Sequence, residues 1–212
     1  MNTDGLLEIA DGIRAYLDAK HKAREQALAL SREVIRLSAN AIRAVHRREF
    51  QAAEELLAKA SNNLRQTDSG LAEHRDIFYA GFVHDAQKEF AEAHTTLALI
   101  AGRPLPGPDD LGVMGASYLN GLGETVGELR RHLLDTLRAG DIDHCEESLA
   151  AMGDIYDILI TMDYPEAVTS GLRRTADAMR AILERTRGDF TMAFAQRRLE
   201  ERLREFEERL PR

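Results

Sequence analysis

The chain has 212 residues and a formal net charge of −8, long enough for one helical domain with a real core and too acidic overall for a generic nucleic-acid binder. Hydrophobic residues make up 44% and aromatics 6%, with no Trp, and Ala, Leu, Glu and Arg dominate while Val-Ile-Thr alternation is scarce, which points to an all-α fold. No run of about 18 apolar residues can span a membrane, the N-terminus lacks the basic and apolar regions of a signal peptide, and a lone cysteine, Cys145, makes no internal disulfide and suits a reducing cytoplasm.

Thr3 or Asp4 is positioned to cap a first helix. Apolar residues recur through Leu6, Ile9, Ile13 and Leu17, then Leu28, Val34, Ile42 and Val45, with no proline. The pattern predicts one helix of about 40 residues, roughly 60 Å long. So long a helix cannot be covered by its own small domain, so an elongated bundle with a partner chain is expected. Between Lys20 and Arg48 eight cations face only Glu25 and Glu33, a local charge of +6 on an acidic chain. Arg32, Arg36, Arg43 and Arg47 fall close to one line, readable either as a solvated face or as a phosphate-contacting stripe.

A second helix is predicted from Arg48 to Arg65, ended by a polar turn from Asn62 to Gly70. A third runs from Leu71 to Ala101, with Phe82, Ala86, Ala93, Leu97 and Ile100 on one face. Glu89 lies on that stripe and Glu92 beside it. Gly102 to Gly112 holds three of the five prolines and reads as a stiff loop. The fourth helix, Gly112 to Arg138, carries Glu124 and Glu128. Gly121, Gly123 and Gly127 interrupt it, each costing about 1 kcal/mol against Ala, which close approach of another helix or a ligand would explain. Gly140-Asp141 is a stop followed by a cap. A fifth helix reaches about Met162, a sixth runs from Tyr164-Pro165 to Thr186, and a seventh from Phe190 to Leu210. No composition shift divides the chain, so residues 1–212 read as a single domain.

Several chemistries lack their residues. There is no Gly-x-Ser-x-Gly, no phosphate loop and no dinucleotide fingerprint. One Cys and scattered His give no zinc spacing. A di-iron bundle needs two Glu-x-x-His motifs, and none occurs. Glu89 with Glu92, and Glu124 with Glu128, remain as pairs at i, i+3 and i, i+4, each aiming two carboxylates at one spot. All four can be solvated surface glutamates. If they meet instead, an all-oxygen set suits Mg²⁺ or Mn²⁺.

The segments AKHKAREQALALSREVIRLSANAIRAVHR (Ala19–Arg47), KEFAEA (Lys88–Ala93), YLNGLGETVGELRR (Tyr118–Arg131) and AGDID (Ala139–Asp143) resemble the translin family. The likeness is greatest to its nuclease branch, translin-associated factor X (Trax). It extends over most of the chain in one order. It implies a seven-helix all-α bundle assembling into a closed, barrel-like hexamer or octamer with nucleic acid inside. It also implies a metal-dependent endoribonuclease acting on single-stranded RNA, or a non-catalytic RNA- or DNA-binding assembly like translin itself. By position Glu89, Glu92, Glu124 and Glu128 match the catalytic, metal-holding carboxylates of Trax, with Glu124 standing where Trax has Asp. Arg131 and Arg32 match basic residues of the family, and Arg36 and Arg43 extend the predicted RNA-contacting set. Gly81 to Asp85 carries no Lys or Arg, a departure from the basic segment of translin.

Overall fold

In the computed structural model, which describes residues 3–209, the chain is helical throughout. Six long helices carry the fold: α1 (Leu6–His46), α2 (Phe50–Gly70), α4 (Gly81–Ile100), α6 (Gly115–Arg138), α7 (Ile142–Leu159) and α9 (Leu172–Arg209). Three single turns, α3 (Arg75–Phe78), α5 (Pro108–Leu111) and α8 (Glu166–Thr169), sit at the corners. The all-α expectation holds, and no strand occurs among the described residues. No described helix is long and apolar enough to cross a membrane.

The first helix is continuous for 41 residues, as its unbroken periodicity predicts, although Gly5 rather than Thr3 or Asp4 is its N-cap residue. Its two ends differ. From Ala27 onward its apolar stripe is buried, through Val34, Leu37, Ala41 and Val45, whereas Leu6, Leu7, Ile9, Ile13, Tyr16 and Leu17 are each more than half exposed.

The helix boundaries depart from the sequence expectation in several places. The polar stretch Asn62 to Gly70 continues α2 instead of turning. Leu57, Ala60, Leu64 and Thr67 keep a 3-4-3 spacing and are buried together, and their packing outweighs the local turn propensity. The expected third helix is interrupted, because the chain first forms a corner in which Leu71, Ile77 and Val83 close over Ala27. Only then does α4 begin, at Gly81. Gly188-Asp189 does not separate two helices, and α9 runs through it. There the Arg130 guanidinium donates to Thr186 Oγ1 at 2.8 Å and to Asp189 at 2.7 Å, fastening the middle of α9 to α6. Leu210, the expected end of that helix, lies outside the described residues. The proline-rich loop contains one helical turn, which starts at Pro108 and is capped by Asp110 accepting from the Gly107 N–H at 2.8 Å.

Two apolar cores flank a central seam. One joins α1, α2 and α4 through Val34, Leu57 and Phe90. The other joins α6, α7 and α9 through Val126, Met152 and Met179. Helix α4 crosses α6 between them. A side chain at Gly121 would put its Cβ 2.4 Å from the Lys88 carbonyl oxygen and 2.9 Å from the Glu92 nitrogen. The two backbones therefore touch, and only glycine permits it. One turn on, the Thr95 and Thr125 hydroxyls meet at 2.6 Å. Gly123 faces Thr175 and Met179 of α9, while Gly127 has nothing beside it, so two of the three glycines have the steric reason the sequence asks for.

Candidate functional site

The contact at Gly121 sets the neighbourhood of the glutamates. It lies one turn from Glu124 on α6 and beside Lys88 to Glu92 on α4. Glu89, Glu92 and Glu124 consequently converge, each presenting a carboxylate oxygen within 4.8 Å of the others. Glu92 is buried, and Glu89 and Glu124 are half-buried.

Three carboxylates at such separation repel one another, and burial makes each charge dearer. Burial first, and then the Glu89, Glu124 and Glu128 carboxylates, push the Glu92 carboxyl up to about 8. Burial likewise raises Glu89. One resident cation moderates the repulsion: Lys88 Nζ donates to Glu124 Oε1 at 2.7 Å and lies 3.4 Å from Glu89. Burial opposes the Lys88 charge, but Glu124 and Glu89 outweigh it and hold its pKa above the ordinary value. Lys88 makes no ion pair with Glu92 among the described residues, so the most buried carboxylate is the least compensated.

Glu128 does not join the three. Its Oε2 is 2.5 Å from His46 Nε2, at the end of α1, and 3.8 Å from Arg131. His46 is 4% exposed, so this contact is sheltered from water. The His46 hydrogen bond holds the Glu128 carboxyl below its ordinary value in spite of burial, with Arg131 assisting. Glu128 thus stays ionised beside a trio that resists ionisation. Its engagement by His46 sets it apart from the three carboxylates with which the sequence groups it.

The arginines are dispersed. Arg131 is exposed next to Glu128. Arg32, Arg36 and Arg43 all lie on the exposed face of α1 and none touches the carboxylates. Arg36 is engaged by Glu33 through Nε at 2.8 Å, and Arg43 Nη1 donates to Asn40 at 2.5 Å. Three residues of the neighbourhood went unforeseen. Lys88 is adjacent in sequence to Glu89 and was within reach of a charge argument. His46 lies 82 positions from Glu128, and no spacing rule connects them. Arg174 of α9 lines a cleft of about 360 Å³ that opens onto Glu92 and Glu124.

A divalent cation fits this donor set. The oxygens are hard ligands, they lie close enough to share one ion, and neutralisation is what buried Glu92 lacks.

No family model matches the chain. The uncharacterized protein MJ0175 of Methanocaldococcus jannaschii is 31% identical over 191 residues, covering 89% of this chain and 84% of that protein. Among solved structures the chain is similar to AfC3PO, both in a complex with duplex RNA and without that designation. Identity is 33% in each, over 89% of this chain and 97% and 98% of those chains, with TM-scores of 0.82 and 0.81. Apo-NeC3PO, at 18% identity and a TM-score of 0.77, covers 91% of this chain and shares the fold.

Proposed function

On the premise that the chain belongs to the translin family, the family of the C3PO assemblies, we propose that it is a Mg²⁺- or Mn²⁺-dependent endoribonuclease. Its substrate would be single-stranded RNA, enclosed in a homo-oligomeric shell of six to eight subunits in the cytoplasm. The observation that carries this reading is the convergence of Glu89, Glu92 and Glu124, with burial and the neighbouring carboxylates pushing Glu92 up to about 8.

A bound divalent ion would supply a water of lowered pKa and would neutralise charge on a phosphoryl oxygen. The chain's own residues do the rest. Glu89, Glu92 and Glu124 would hold the ion. Glu128, kept ionised and oriented by His46, is the group suited to accept a proton from the attacking water. Arg131, exposed beside it, is placed to neutralise the phosphate. Arg174 offers a second cation where its cleft meets the carboxylates.

One observation favours a non-catalytic RNA-binding assembly instead. Lys88 already neutralises part of the trio and can stand in for a metal. Cleavage of a labelled single-stranded RNA in Mn²⁺ and in EDTA separates the two readings, with wild type beside Glu89→Ala/Glu92→Ala. Metal-dependent cleavage lost in the double variant, with fold and oligomer intact, supports the nuclease. Binding without cleavage by either protein would leave only the binding assembly. A duplex RNA of the same length belongs in the assay, since one AfC3PO structure is a complex with duplex RNA.

A further inference from the structure

One turn beyond Glu128 on α6, His132 lines a second cleft, of about 540 Å³, between the end of α4, α6 and the start of α7, with Arg48 of the α1–α2 corner at its edge. Arg48, His144, the Leu99–Gly102 turn and Asp141 complete much of its wall. Arg48 stands in an unusual place. It follows the last residues of α1 with φ at 59°, in the left-handed region. Its N–H bonds to the Val45 carbonyl and the Glu49 N–H to the Ala44 carbonyl, both at 2.9 Å. This is the Schellman arrangement, in which the left-handed position is most often glycine, because other residues strain there. An arginine here costs backbone energy. Arg47 next to it is paired with Glu49, whereas Arg48 forms no ion pair among the described residues.

Two carboxylates, Asp141 and Glu147, share the wall with Arg48. Asp141 is committed to His144, accepting from Nδ1 at 2.8 Å and from the backbone N–H at 3.3 Å. Glu147, also on the wall, is exposed. His132 has Arg48, His46 and His144 around it, and only Asp135 as an acidic neighbour. A strained, unpaired guanidinium and a half-buried imidazole that share a cleft want one anion between them.

We infer that this cleft seats a backbone phosphate of the RNA strand on Arg48 and His132, a few nucleotides from the phosphate at the carboxylates. The inference rests on the RNA-acting reading above. The spacing suits it: Glu124 of the trio and His132 are eight residues apart on one helix, about 12 Å along the axis, a span that one strand contacting both places can cover. His46 links the two places, bonded to Glu128 on one side and acting electrostatically on His132 on the other.

The strain at Arg48 supplies the test. Arg48→Gly removes the guanidinium while relieving the backbone, so its melting midpoint should match or exceed that of wild type. Affinity for a fluorescent single-stranded RNA is measured in EDTA across a salt series, with Arg48→Lys alongside. Arg48→Gly is expected to bind about five- to tenfold more weakly, and its slope of log affinity against log salt should fall by about one. Arg48→Lys, which keeps the charge, should retain the slope. Wild-type affinity and slope in Arg48→Gly would overturn the assignment, and so would a wild-type protein that does not bind the RNA. Cleavage in Mn²⁺ is scored separately. A reduced slope without any cleavage would uphold the phosphate site and defeat the nuclease; cleavage with an unchanged slope would do the reverse.

Discussion

Glu92 is the residue whose chemistry reports most directly on the site. Its carboxyl titrates at about 8 in the fold and near 4.5 in an unfolded chain. Between those values the unfolded chain has lost the proton and the folded one keeps it, so stability falls as pH rises from about 4.5 to about 8. Glu89, also raised, acts in the same sense. Glu128, lowered by His46, acts in the opposite sense and at lower pH, losing its contribution only as pH falls below the ordinary carboxylate range. The Glu92 effect is on the order of 4 kcal/mol by pH 8. The melting midpoint in EDTA should therefore drop across this window, and Mn²⁺ should flatten the curve. Glu92→Gln should flatten it without metal. A midpoint that is level in EDTA from pH 5 to 8 would contradict the uncompensated burial of this carboxylate. That Glu89 and Glu92 share one side of a helix was legible in their spacing. That Glu128 faces His46 was not, because the two residues are brought together only when α1 and α6 both pack on α4.

At the scale of the element, the crossing of α4 over α6 is decided by a missing side chain. Gly121→Ala would gain about 1 kcal/mol of helix propensity, yet its Cβ would stand 2.4 Å from a carbonyl oxygen that cannot swing away. The helices must separate, and a net loss of about 2–3 kcal/mol is expected by denaturant unfolding. Gly127→Ala, in the same helix with open space around it, should instead gain up to about 1 kcal/mol. Equal effects of the two substitutions would show that the seam does not depend on close backbone approach. Because Glu124 lies one turn from Gly121, Gly121→Ala should also weaken Mn²⁺ binding, whereas Gly127→Ala should leave it alone. Three glycines in one helix already signalled an approach in the sequence. Which glycine meets which helix depended on the backbone of α4 and side chains of α9, far away along the chain.

At the scale of the whole molecule, the two longest helices project apolar residues into solvent. Leu6, Leu7, Ile9, Ile13 and Leu17 on α1, with Met192, Leu199, Leu203 and Phe206 on α9, are all more than half exposed. Such stripes ask for cover, which a second copy of the chain would supply. Ile13→Glu with Leu17→Glu should shift light-scattering mass to a smaller species while the fold, which does not bury either residue, keeps its helical signal. An unchanged mass would place the subunit contacts elsewhere. The long first helix, the apolar stripes and the paired glutamates all follow from residues within a few turns of one another, where helical periodicity alone relates position to face. Local patterns also suggested a break at Gly188-Asp189 and a turn at Asn62–Gly70, and both gave way to packing. The gathering of Glu89, Glu92 and Glu124, the choice of Lys88 as their cation and the pairing of Glu128 with His46 were settled only by tertiary structure. They depend on how closely two helices cross, and that distance is fixed by atoms that are neighbours in space and strangers in sequence.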